Sequence, residues 1–218
     1  MTLVRPRALL FDWDNTLVDS WGAIHDALRV TFEAMGREPW TLEQTRQRVR
    51  RSTREAFPAL FGKRAEEATG IFYQAFESDH LKTLEAREGA ETLLRGLVEA
   101  GGYYLAVVSN KRGDLLRREV ARLGWDGYFE RLVGANDAAR DKPAADAVEM
   151  ALGDSGLAPG PEIWFVGDTD IDMVCAANAG CLPVLLRAEP PGAGEFTGSE
   201  PGVHVAGCVQ LLEAVRAI

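Results

Sequence analysis

The stretch ALLFDWDNT, residues 8–16, sets the architecture of this chain of 218 residues. Its first four residues are apolar without a break, which is typical of a parallel β-strand covered on both faces. The apolar run stops at Asp12, and Asp14, Asn15 and Thr16 add carboxylate, amide and hydroxyl groups. Open α/β sheets bind ligands at the carboxyl ends of their strands, so this polar turn is a candidate site.

Similar apolar runs recur along the chain and alternate with helical patterns. The further runs lie at residues 103–108, 131–134, 163–166 and 182–186. The helical patterns lie at 113–123, 143–152, 170–179 and 209–217, and Pro143 fits the first position of its helix. This alternation predicts an α/β fold with a Rossmann-like, mostly parallel sheet flanked by helices.

Residues 18–87 break the alternation because they contain no clear strand. Their apolar residues recur at helical spacing and predict about four helices. Thr41 with Gln44 and Ser52 with Glu55 fit capping boxes, in which a hydroxyl and a side chain three residues later satisfy the first turn of a helix. The segment is therefore predicted to be a helical insertion between the first two main strands.

This insertion divides the chain into two predicted units. Residues 1–17 and 88–218 would form the α/β core, and residues 18–87 a smaller helical cap over the carboxyl ends of the strands. Residues 188–203 are rich in proline and glycine and are expected to form a long surface loop.

Composition limits the class of protein and its partners. The chain carries 24 Lys and Arg against 33 Asp and Glu, a net charge of −9. A net acidic surface argues against nucleic acid or an anionic membrane as the main partner. No apolar run approaches the roughly 20 residues that span a bilayer, and the N-terminus has no signal-peptide pattern. The three cysteines lack metal-site spacing and are odd in number, so we expect a cytoplasmic protein with reduced thiols. We expect a monomer or a homodimer.

Polar residues follow or flank several of the predicted strands, as they do at residues 12–16. Residues 109–111 are Ser-Asn-Lys, residues 141–142 are Asp-Lys, and residues 168–172 contain three aspartates. Parallel strands of one sheet end at the same edge, so these groups are expected to converge there.

The residue types in this set favour phosphoryl chemistry. Clustered carboxylates are ligands for a hard cation such as Mg²⁺ and would repel each other without one. A cation, a lysine and hydroxyls form a pocket for a dianionic phosphoryl group. One carboxylate can attack phosphorus and another can transfer the proton of the departing oxygen. The residue types alone leave open which carboxylate takes which role.

The same four segments, in the same order, resemble the four motifs of the haloacid dehalogenase (HAD) superfamily. The resemblance covers residues 1–17 and 88–210, and the insertion resembles that family's α-helical cap. One departure is Asn15, at a position where glycine is commonest in the family. The position calls for a left-handed backbone, which asparagine tolerates.

The resemblance implies a role for each matched residue. Asp12 resembles the nucleophile and a metal ligand, and Asp14 resembles the general acid and base, with its backbone carbonyl as a second ligand. The residues that resemble phosphate-binding groups of the family are Thr16, Ser109, Asn110 and Lys142. Asp168 resembles a further metal ligand, and Asp172 resembles a ligand or a nearby carboxylate. The acid at Asp14 argues against the dehalogenase branch, which lacks one because its leaving group is halide.

Residues 50–55, RRSTRE, resemble the cap loop that faces substrate in relatives of phosphoglycolate phosphatase and β-phosphoglucomutase. If this loop faces the site, Arg51 or Arg54 would pair with a carboxylate or second phosphate of the substrate. The other interpretation is a solvated start of a helix.

We therefore predict a Mg²⁺-dependent phosphatase that hydrolyses a small phosphorylated metabolite, phosphoglycolate-like or a sugar phosphate, through an aspartyl-phosphate intermediate. Two alternatives stay open at this point. One is a phosphosugar mutase or phosphotransferase of the same superfamily, and the other is a non-catalytic protein that binds a phosphate ligand.

Overall fold

A computed structural model describes residues 3–218 of the chain. Its strands are β1 (Ala8–Phe11), β2 (Val18–Asp19), β3 (Glu85–Ala86), β4 (Tyr104–Arg112), β5 (Arg131–Ala135), β6 (Ile163–Gly167), β7 (Leu182–Leu186) and β8 (Val203–Val205). Six of them form one sheet in the order β5-β4-β1-β6-β7-β8, and every neighbouring pair in it is parallel. The predicted α/β fold with a parallel sheet is confirmed.

Nine α-helices accompany the strands in the described part of the chain. They are α1 (Trp21–Ala34), α2 (Leu42–Arg48), α3 (Thr53–Phe61), α4 (Ala65–Asp79), α5 (Ala90–Ala100), α6 (Gly113–Leu123), α7 (Asp146–Leu152), α8 (Asp170–Ala179) and α9 (Cys208–Arg216). None of these helices is both long enough and apolar enough to cross a membrane.

Strand β1 lies in the middle of the sheet and is covered on both faces. Leu9 and Phe11 face a core that α5, α6 and α9 complete, whereas Ala8 and Leu10 face a core completed by α7 and α8. All four side chains are fully buried. This double burial explains why the strand is uninterruptedly apolar, since neither face meets water.

Helices α1 to α4 form the helical insertion and pack around an apolar core of their own. The rings of Phe32, Phe57, Phe72 and Phe76 lie at its centre, and Leu115 of α6 packs against them from the α/β part. The first turn of α2 carries the predicted capping box of Thr41 and Gln44. The proposed division of the chain at residues 17/18 and 87/88 stays a prediction.

The structure differs from the sequence predictions at short elements. Strands β2 and β3 pair antiparallel inside the segment that was expected to lack strands, and two residues each are too few to show alternation. Strand β8 was also missed, because three residues with a central exposed His204 give no clear apolar run.

The helix expected to start at Pro143 begins three residues later, at Asp146. The Pro143 carbonyl accepts a hydrogen bond of 2.8 Å from the Asn178 side chain, and Ala144 N–H donates to the Asp141 carbonyl in a turn. These contacts take the place of the first helical hydrogen bonds.

Candidate active site

The carboxyl ends of three adjacent strands open into one cavity under the helical insertion. Strand β1 lies between β4 and β6. Asp12 follows β1, Ser109 lies near the end of β4 and Asp168 follows β6, and all three line the cavity together with Asp14 and Lys142. The structure therefore brings together residues that are far apart in the sequence, since Asp12 and Asp168 are separated by 156 positions.

Lys142 lies at the floor of the cavity and bridges two carboxylates. Its Nζ is 2.6 Å from Asp12 Oδ1 and 2.7 Å from Asp172 Oδ1, and the lysine is buried. Burial alone would lower the pKa of Lys142, but the two carboxylates outweigh it and hold the pKa above its usual value. The ammonium group is therefore a permanent cation beside Asp12.

Asp12, Asp168 and Asp172 form a cluster of carboxylates. One oxygen from each lies within 4.8 Å of the others. Burial, opposed by Lys142 and reinforced by Asp172, raises the pKa of Asp12 to about 7. Burial and the neighbouring carboxylates also raise the pKa of Asp168 well above its usual value. One lysine is thus too little positive charge for three carboxylates, and oxygen donors of this kind suit a hard divalent cation.

Both oxygens of Asp172 already have partners in the protein. Oδ1 accepts from Lys142, and Oδ2 accepts from the Thr169 N–H at 3.1 Å and the Thr169 hydroxyl at 2.8 Å. Gly167 makes room for this carboxylate, because a Cβ on Gly167 would lie 2.3 Å from Asp172 Cγ. Asp172 therefore holds Lys142 in place, whereas Asp12 and Asp168 are the better placed of the three to bind a cation.

The turn after β1 has the backbone that the sequence predicted. Asn15 has a φ of +64°, in the left-handed region, and its side chain accepts a hydrogen bond from the Ser20 N–H. Thr16 is fully buried, and its hydroxyl donates to Asp168 Oδ1 at 3.4 Å. Thr16 is absent from the cavity lining among the described residues, so its contacts orient the loop and Asp168.

The two predicted phosphate-binding residues of β4 differ in their surroundings. Both line the cavity, and the Ser109 hydroxyl accepts a hydrogen bond from the Lys111 N–H. The Asn110 side chain accepts from the Lys142 N–H at 2.9 Å and donates to the Lys142 carbonyl at 3.1 Å. The amide of Asn110 therefore positions Lys142, and Ser109 is the hydroxyl with access to a ligand.

A buried ionic network, which the sequence analysis did not find, lies behind Asp14. Lys111 Nζ is 2.7 Å from Asp14 Oδ1 and 2.6 Å from Glu119 Oε2. Glu119 also accepts from the Trp13 indole and contacts His80 Nδ1, each at 2.7 Å. A signal existed in the sequence, since Glu119 is a carboxylate on the otherwise apolar stripe of α6.

Asp141 connects the loop before α7 to the helical insertion. Its carboxylate accepts from the Ser52 hydroxyl at 2.6 Å and from Arg54 Nη2 and Nε at 2.6 and 3.1 Å. The predicted capping box of Ser52 and Glu55 is therefore wrong, because the Ser52 hydroxyl donates to Asp141 instead of capping α3. Arg54 is occupied by Asp141 and does not line the cavity.

The other two arginines of the loop do line the cavity. Arg50 Nε is 2.9 Å from Asp170 Oδ1, and Arg51 Nη1 is 3.2 Å from Glu55 Oε2. Arg50 was not singled out in the sequence, because only the fold brings it to Asp170.

Comparison with known proteins gives a consistent result. The family described as haloacid dehalogenase-like hydrolase matches residues 9–185. Phosphoglycolate phosphatase of Rhodobacter capsulatus is 29% identical over 188 residues, 84% of either chain, and pyrophosphatase PpaX of Listeria monocytogenes is 28% identical over 209 residues, 95% of either chain. The solved structure of a haloacid dehalogenase-like family hydrolase from Streptococcus pneumoniae has the same fold, with a TM-score of 0.83 over 96% of this chain and 98% of that one at 23% identity.

Proposed function

Because this chain belongs to the haloacid dehalogenase-like hydrolase family, we propose that this enzyme, a phosphatase, hydrolyses a small phosphate monoester through an aspartyl-phosphate on Asp12. The observation that carries the proposal is the position of Asp12. Its carboxylate lies on the cavity, in contact with the Lys142 cation and beside Asp168. An anionic nucleophile next to a fixed cation is the arrangement that attack on a phosphoryl dianion requires.

The carboxylate cluster fits a divalent cation, and we assign it to Mg²⁺. Asp12, Asp168 and the backbone carbonyl of Asp14 would hold the ion, and Asp172 would contribute by fixing Lys142. When bound, the ion withdraws charge from the phosphoryl oxygens and offsets the repulsion between the carboxylates.

The first chemical step forms the aspartyl-phosphate. Lys142 and the Ser109 hydroxyl bind the phosphoryl oxygens, and an Asp12 oxygen attacks phosphorus. The bond from phosphorus to the ester oxygen breaks as the new bond forms. Asp14 donates its proton to the departing oxygen, so that the leaving group departs as an alcohol and not as an alkoxide.

The second step returns the enzyme to its starting state. Asp14, now ionised, takes a proton from a water molecule, which attacks the phosphorus of the intermediate. The bond between phosphorus and Asp12 breaks, and inorganic phosphate leaves. Lys111, 2.7 Å from Asp14 Oδ1, holds the Asp14 carboxylate at the cavity wall during this cycle.

The test is phosphate release from a panel of phosphate esters with and without Mg²⁺. The panel contains phosphoglycolate, hexose phosphates and nucleoside monophosphates, with pyrophosphate added because one relative is named a pyrophosphatase. We expect Mg²⁺-dependent release that Asp12→Asn reduces by about 10³-fold or more.

Near-normal turnover by Asp12→Asn would contradict the assignment of the nucleophile. Rapid transfer of phosphate between sugars with little release would favour the mutase alternative. Tight binding of a phosphate ligand without release or transfer would favour the binding protein. Both alternatives stay predictions.

A further inference from the structure

Much of the wall of the active-site cavity is apolar, and Arg50, Arg51 and Arg112 line it as well. The cavity has a volume of about 130 Å³. Its apolar lining comes mostly from the helical insertion and includes Trp21, Ile24, Val49, Phe72 and Phe76. A leaving group that projects from phosphorus toward the insertion therefore meets hydrocarbon and aromatic surface.

Every cation that lines the cavity within residues 3–218 contacts a carboxylate of the chain itself. Lys111 contacts Asp14 and Glu119, and Lys142 contacts Asp12 and Asp172. The arginines pair in the same way, Arg50 with Asp170, Arg51 with Glu55 and Arg112 with Glu77 and Asp114. A second anionic group on the substrate would compete with these carboxylates for the same cations.

A second cavity of about 200 Å³ continues the apolar wall into the helical insertion. The residues that line both cavities are Ile24, Val49, Arg50, Arg51, Thr53 and Phe72. The second cavity is otherwise lined by Arg48 and by apolar side chains such as Leu28, Phe57 and Leu60. An apolar extension of the leaving group thus finds apolar surface past Ile24.

We propose that the leaving group of the natural substrate is a neutral alcohol with an apolar face or tail. The inference rests on the proposed phosphatase function and specifies the substrate class of the same site. We therefore expect kcat/KM to be higher for alkyl and arylalkyl phosphates than for esters whose leaving group is an anion, including phosphoglycolate. It should also be higher for them than for pyrophosphate.

Isobutyl phosphate and phosphoglycolate form a matched pair for the test. Their leaving groups have the same number of non-hydrogen atoms and the same branching, and differ in the carboxylate. We expect kcat/KM with Mg²⁺ to be higher for isobutyl phosphate by at least about tenfold, although isobutanol is the weaker acid and the poorer leaving group. A higher kcat/KM for phosphoglycolate or pyrophosphate would overturn this inference and leave the proposed function intact. No release from any ester would overturn both.

Ile24 offers a second measurement on the same question. Ile24→Lys places a cation on the apolar wall, and Ile24→Met is the uncharged control of similar reach. In Ile24→Lys, with folding verified by thermal denaturation, the ratio of kcat/KM should shift toward phosphoglycolate by about tenfold or more, while Ile24→Met should keep the order of the unmodified enzyme. A folded Ile24→Lys with an unchanged ratio would show that the leaving group does not meet this wall, and would overturn the proposal.

Discussion

Glu119 is a single buried carboxylate with three partners, close to Asp14, the proposed acid and base. It contacts Lys111, the indole of Trp13, which lies between Asp12 and Asp14 in the sequence, and His80 after the end of α4. Although burial opposes ionisation, Lys111 and the other donors hold the pKa of Glu119 below its usual value of 4.5. Its ionic contribution to stability is therefore complete above pH 4.5 and is lost as the pH falls through the lowered value.

We expect Glu119→Gln to lower the free energy of unfolding by about 3 kcal/mol at neutral pH, because it leaves the buried Lys111 with one carboxylate fewer. Denaturant titration measures this. Adding Lys111→Met should restore most of the stability, since the uncompensated charge is removed. The kcat of this double variant should be below that of the unmodified enzyme, because Asp14 has lost its partner. Full activity in the double variant would contradict a role for Lys111 in holding Asp14.

Whether the sequence predicts a residue's role depends on how far that residue lies, along the chain, from the residues it contacts. Asp12, Asp14, Lys142 and Asp168 lie in short segments whose residue types indicate their chemistry. The contacts of Glu119 with Trp13 and of Asp141 with Ser52 join residues 106 and 89 positions apart, and only the folded chain shows them.

At the scale of elements, long apolar runs were predicted and short pairings were not. The apolar runs of β1, β4, β6 and β7 were evident in the sequence because both faces of each strand are largely covered. The two-residue strand β2 owes its existence to pairing with β3, which a local pattern cannot reveal. The start of α7 was misplaced because a tertiary contact of Pro143 replaces a helical hydrogen bond.

The start of α3 is fastened to the α/β part by the ion pair of Arg54 and Asp141. Lid segments close over a substrate when such contacts form. We expect Arg54→Gln to lower kcat/KM by about tenfold, equivalent to about 1.4 kcal/mol, mainly through a higher KM. Arg64→Gln is the matched control, because Arg64 pairs with Glu67 on the surface of the insertion and both are exposed. Equal effects of the two substitutions would show that the Asp141 contact has no part in closure.

At the scale of the whole molecule, cation binding should stabilise the fold. A ligand that binds only the folded state raises Tm as its concentration rises. We expect Mg²⁺ to raise Tm of the unmodified protein and to have little effect on Asp168→Asn. Asp154→Asn, which alters an exposed carboxylate, should respond like the unmodified protein. A normal Mg²⁺ response in Asp168→Asn would place the ion elsewhere.

The same binding should depend on pH. In the cation-free protein the pKa of Asp12 is raised to about 7, so a proton competes with Mg²⁺ below that pH. The apparent Kd for Mg²⁺ should therefore fall as the pH rises toward 7, by up to about tenfold per pH unit for each carboxylate that must lose a proton. Calorimetric titration at several pH values measures this, and a Kd independent of pH between 6 and 8 would contradict it.

The small ribbon of β2 and β3 bears on how such chains diversify. Val18 lies beside Ala86 and Asp19 beside Glu85, so the polypeptide leaves the sheet and re-enters it at neighbouring points. We expect that a different helical segment with similarly spaced ends can be grafted at this junction without moving β1, which the proposed nucleophile Asp12 follows. A chimera built this way would exchange the leaving-group preference and keep the phosphoryl chemistry, provided that the new segment supplies a partner for Asp141.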